Sequence, residues 1–131
     1  MAEMVDHPDH YNQHPSGVEC IEIVEHMNFA IGSAFKYLNR AGLKADPVLQ
    51  DLRKALWYLE HEEKYRRRWY PPPTVILNPA EQHRVTKYFN SETCQIQRLL
   101  WLYTTKSKFE YLIDATTLLK AEIKKIELKE S

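Results

Sequence analysis

The sequence predicts an all-α fold, and three observations carry that expectation. Apolar residues recur at helical spacing, as at Leu49, Leu52, Leu56 and Leu59. Start and stop signals punctuate the chain. Gly42 suits the left-handed position that ends a helix, and Asp46–Pro47 and Asn78–Pro79 each read as an N-cap followed by a first helical residue. The 131 residues include only three glycines, few for a sheet with many tight turns, and the β-prone piece Thr74–Leu77 is too short to build a sheet alone.

The elements follow in order. Pro8 and Pro15 oppose a helix, and His7, His10 and His14 fall between or beside them, so an N-terminal His/Pro arm is expected. Ser16 and Glu19 have capping-box spacing and open a first helix over about 17–27. Its stripe is Cys20, Ile23, Val24 and Met27, with Glu19, Glu22 and Glu25 on a neighbouring face. A second helix covers about 29–41 and a third about 47–69, ended by Pro71, Pro72 and Pro73. Asn78–Pro79 starts a fourth helix ending near Phe89. Ser91 caps a fifth that aligns Ile96, Leu99, Leu100 and Tyr103. The last runs from about Lys108 to Leu128 along Leu112, Ala115 or Thr116, Leu119, Ile123 and Ile126, and the charged ending KKIELKES is expected to fray. The second and third helices form a helical hairpin core. The proline run divides this hairpin region, residues 1–70, from a helical extension, residues 71–131, that packs on the first part or on a partner chain.

Composition narrows the function classes. Hydrophobic residues make up 44% and charged residues 27%, ordinary for a globular domain. The net charge is zero, so a nucleic-acid partner is not expected. The halves differ: residues 1–64 hold 6 Lys/Arg and 11 Asp/Glu, residues 65–131 hold 12 and 7. Opposite charge can draw them together within one chain or between chains, although each half can equally carry its own solvated surface. No long apolar run marks a signal peptide or membrane span, and Cys20 and Cys94 form no C-x-x-C, so a reduced, cytoplasmic setting is expected. No glycine-rich phosphate loop is present.

Four constellations can carry chemistry, each beside a plainer reading. His7 and His10 are spaced H-x-x-H with Tyr11 following. They can donate to phosphate, with Tyr11 stacking on a base, or form a docked polar arm; no metal site is assigned. Lys36 and Arg40 share a helix face, Lys44 extends their line past the helix end, and Lys54 lies nearby. With Tyr37 beside them they form either a phosphate clamp or a solvated face. The Glu19, Glu22, Glu25 row can face Asp51 or Glu60, Glu62 and Glu63 across a magnesium ion, or simply meet solvent. In Lys64–Tyr70, KYRRRWY, the basic residues either grip a nucleic-acid strand or complement the negative end of a long helix. Trp101, Tyr103, Phe109 and Tyr111 either fill the C-terminal core or offer an interaction surface.

Three blocks then carry a resemblance: HPDHYN, SGVECIEIVEHM and SAFKYLNRAGLKADPVLQDLRKALWYLE, in that order. They resemble the SaV-like phage family, over about residues 5–63. That family includes a nucleotide kinase that phosphorylates deoxynucleoside monophosphates without a Walker loop. The resemblance implies a phage or prophage origin and the cytoplasm of an infected bacterial host. It implies His7, His10 and Asp51 in catalytic roles, and Tyr11, Lys36, Tyr37, Arg40, Lys44 and Lys54 at a nucleotide. ATP and Mg2+ would serve the kinase version. A second expectation is an anti-defence sponge, a homo-oligomer that holds a nucleotide immune signal without chemistry. A third is a protein-interaction module.

Overall fold

The computed structural model describes residues 16–43, 48–66, 75–90 and 94–130. Six α-helices form among them, and no strand does. They are α1 (Cys20–Val24), α2 (Phe29–Leu43), α3 (Val48–His61), α4 (Pro79–Thr86), α5 (Gln95–Lys106) and α6 (Phe109–Glu130). A π-helical turn, Glu62–Arg66, prolongs α3, and a 3-10 turn, Lys87–Asn90, follows α4. No helix among the described residues is long and apolar enough to cross a membrane. The His7–His10–Tyr11 arm, Lys44, the Asp46–Pro47 cap, the proline run, most of KYRRRWY and Ser91 lie outside the described residues.

The first helix is shorter than its periodicity predicts. Gly17 sits at φ +78°, a left-handed conformation incompatible with helix continuation, and Glu19 is extended. The Ser16 hydroxyl instead accepts from the Val18 N–H at 3.1 Å, a local turn. The reciprocal pair therefore moves three residues on, and the Glu22 carboxylate accepts from the Glu19 N–H at 2.8 Å. After Val24 the chain turns, and the Asn28 side-chain oxygen accepts from the Ile31 N–H at 2.9 Å, capping α2. Asn78 caps α4 as expected, accepting from the Glu81 N–H at 2.8 Å. At the other end of the chain, α6 extends to Glu130. Ile126 packs on the core, and Glu127 pairs with Arg53 of α3 at 2.6 Å.

α2 packs along α3, α5 packs along α6, and the two pairs meet through α3 on α6 and α2 on α5. Ser107, at φ 58°, reverses the chain between α5 and α6. One apolar cluster runs through all of them, including Ile31 and Phe35 of α2, Leu52 and Leu59 of α3, Leu100 of α5, and Leu112 and Leu119 of α6. On α3 the seam is rotated from the predicted line: Ala55 is fully buried, while Leu56 only packs against the edge. Trp101 and Tyr103 are buried and Phe109 and Tyr111 partly so, which makes these four rings core. Thr104 and Thr116 are also buried, and each hydroxyl donates to the carbonyl four residues back, so neither is orphaned.

A buried polar cluster ties α1, α2, α5 and the 3-10 turn together. The Tyr88 hydroxyl donates to Asn39 Oδ1, and Gln97 Nε2 donates to the same hydroxyl at 3.4 Å. Cys20 and Cys94 are free and buried beside it. Burial pushes the Cys20 thiol from 9.0 up to about 12, tempered by the Lys36 charge. Burial, then the neighbouring Cys20, raises Tyr88 as well.

Candidate functional site

Two adjoining pockets open where α2 meets α3. The smaller, about 250 Å³, is lined by Phe29, Ser33, Lys36, Tyr37 and Arg40 of α2 and by Tyr58 of α3. The α2 residues lie three or four apart, so one helix face presents them all. Lys36 is exposed, and the Arg40 side chain is 34% exposed.

Arg40 is positioned from beneath. Its Nε lies 3.9 Å from Oδ2 of the buried Asp51. Asp51 stands in the first turn of α3, where the helix dipole favours a carboxylate. Arg40 Nε is itself buried without a hydrogen bond, so the attraction acts through space rather than through a shared proton. Asp51 thus orients the arginine. Lys54 does not line the pocket; its Nζ stands 5.4 Å over the Tyr37 ring. Tyr37 in turn stacks on Tyr58, with centroids 6.0 Å apart and planes 16° from parallel. Five predicted residues, Lys36, Tyr37, Arg40, Asp51 and Lys54, therefore gather at one corner. His7, His10, Tyr11 and Lys44 lie outside the described residues.

The larger pocket, about 470 Å³, shares Phe29 and Tyr58 with the first and adds Trp57, His61, Glu62 and Tyr65. The π-helical turn begins at Glu62, and such turns are common at functional sites. Glu62 is buried, and its Oε2 accepts from the Tyr103 hydroxyl at 2.7 Å and from Asn28 Nδ2 at 3.1 Å. The sequence reading missed this pocket. Its signal was present: Trp57, His61 and Tyr65 recur every fourth residue, a one-faced aromatic stripe. Phe29 gave no such signal, since an apolar residue opening a helix reads as core.

The acidic row does not assemble into a metal site. Glu22 pairs with Arg84 at 2.7 Å, Glu60 with Lys120 at 3.6 Å, and Asp51 and Glu62 are held as described. No group of three or more His, Cys, Asp or Glu side chains able to hold a metal ion occurs among the described residues. This donor set does not fit a protein-held Mg2+; an ion bound through a nucleotide's own phosphates makes no such demand.

No curated protein and no solved structure matches the chain. Residues 5–60 match a family described as a protein of unknown function (DUF3310), a span that takes in Phe29, Lys36, Arg40, Asp51, Trp57 and Tyr58 and stops just before His61, Glu62 and Tyr65.

Proposed function

We propose that the protein binds a nucleotide at the α2–α3 corner, with Lys36 and Arg40 holding its phosphoryl oxygens. The observation that carries this reading is the 250 Å³ pocket that places both cations on one wall beside the Ser33 hydroxyl. A guanidinium offers paired donors matched to two phosphate oxygens, an ammonium adds a mobile point charge, and each charged hydrogen bond contributes about 1.5–3 kcal/mol. Asp51 supports the site by fixing the guanidinium in advance, which lowers the ordering cost of binding.

The enzyme version of this reading is a (deoxy)nucleoside monophosphate kinase, which the resemblance to the SaV-like family favours. An oxygen of the bound monophosphate attacks the γ-phosphorus of ATP, the β–γ bridging P–O bond breaks, and ADP leaves. Lys36 and Arg40 neutralise charge on the equatorial oxygens. The binding version is a sponge that sequesters a nucleotide immune signal unchanged. Incubation with ATP, Mg2+ and dTMP or dGMP separates the two versions. Nucleoside diphosphate product establishes the kinase; intact ligand recovered after heat denaturation establishes the sponge. Absence of both turnover and binding across the nucleotide panel rejects the proposal.

A further inference from the structure

We infer that the aromatic pocket is the subsite for the heterocyclic base, so that the ligand class is a flat aromatic phosphate lying across both pockets; this rests on the phosphate reading of Lys36 and Arg40. Three of the rings around this pocket are not core. Phe29 is 80% exposed, Trp57 59% and Tyr65 44%, while the fold buries Phe35, Tyr88 and Tyr103 completely. Large rings left uncovered singly are ordinary, but three of them gathered round one concavity mark a binding surface.

Their geometry is that of a stacking platform. Trp57 and His61 stack with centroids 5.2 Å apart and planes 18° from parallel, and His61 meets Tyr65 at 4.7 Å. Phe29 stands edge-on to Tyr58 at 6.0 Å. The first three come from α3 and its π-helical extension, and Phe29 comes from the opening of α2, so a planar group entering between the helices meets rings from both sides.

Continuity with the cationic pocket selects the occupant. Phe29 and Tyr58 line both cavities, so a base in the aromatic one and a phosphate in the other would belong to adjoining subsites. Two polar groups of the aromatic pocket are committed to the protein: Asn28 caps Ile31 and donates to Glu62, and Glu62 also accepts from Tyr103. That network stiffens the wall, and the rings supply stacking, which every base can satisfy.

Calorimetric titration of the full chain with pyrophosphate, deoxyribose 5-phosphate, dTMP and dGMP tests this. Both nucleotides are expected to bind about tenfold or more tightly than deoxyribose 5-phosphate, the scale of one base–aromatic stack. Trp57→Ala removes that advantage and leaves the affinity for pyrophosphate unchanged. Trp57→Leu, which keeps apolar bulk without an aromatic face, does the same and guards against misfolding of the alanine variant. Equal affinity for dTMP and deoxyribose 5-phosphate overturns the inference, as does a nucleotide preference that survives both substitutions; in either case the phosphate reading stands. Failure of all four probes to bind removes the phosphate reading itself. Displacement of the nucleotides by an oligothymidylate of higher affinity per site overturns the mononucleotide assignment in favour of a strand.

Discussion

Arg40 spans the boundary between the protein interior and the smaller pocket. Its stem is covered, its Nε faces Asp51, and a third of it remains open to the pocket. Replacing it with lysine keeps the charge but loses the fork, and dTMP affinity measured by calorimetry is expected to fall about tenfold, the value of one charged hydrogen bond. Cys20 illustrates the opposite case, a titratable group kept neutral. Its folded pKa, about 12, lies above its ordinary 9.0, so the thiol's contribution to stability is complete below pH 9.0 and is lost as pH rises towards 12. The free energy of urea unfolding of wild type is therefore expected to fall over that window. The same curve for Cys20→Ala, compared at each pH, should lack this component of the slope. Tyr88, raised in the same direction and bonded to Asn39 and Gln97, titrates with the same sign and remains in both proteins.

At the scale of elements, local chemistry decides where each helix begins and turns. Asn28 and Asn78 cap α2 and α4, and Glu22 closes on Glu19 to start α1. The α5–α6 turn rests on a residue poorly suited to it. Ser107 holds φ 58°, where a Cβ crowds the following carbonyl, and its N–H reaches back to the Tyr103 carbonyl at 3.1 Å. Ser107→Gly relieves that crowding and is expected to raise stability by about 0.5–1 kcal/mol in denaturant titration, while Ser107→Val lowers it. The π-helical turn after α3 is the element that no periodicity announced. It carries Tyr65, which meets His61, and Glu62, which accepts from Tyr103.

At the scale of the whole molecule, one apolar cluster joins residues on both sides of the proline run. Leu119 of α6 is fully buried in it, and α6 lies along α3. Leu119→Ala is expected to cost about 2–5 kcal/mol, seen as a lower midpoint of a single transition rather than the melting of one half. Much of this architecture was legible beforehand. Helical spacing identified Leu112, Leu119 and Ile123, and the Asn78–Pro79 signal marked α4, because both depend on chemistry a few residues apart. The cationic face of Lys36 and Arg40 was legible for the same reason. Three features were not: the late start of α1, the burial of Glu62, and the union of Phe29 with Trp57 and Tyr65. The sequence by itself determined that this chain is all-helical and that α2 presents a basic face. Only the tertiary structure decided that Asp51 stands beneath Arg40 and that exposed rings from two helices flank the same cavity, since such meetings depend on how helices cross and not on the spacing within either one.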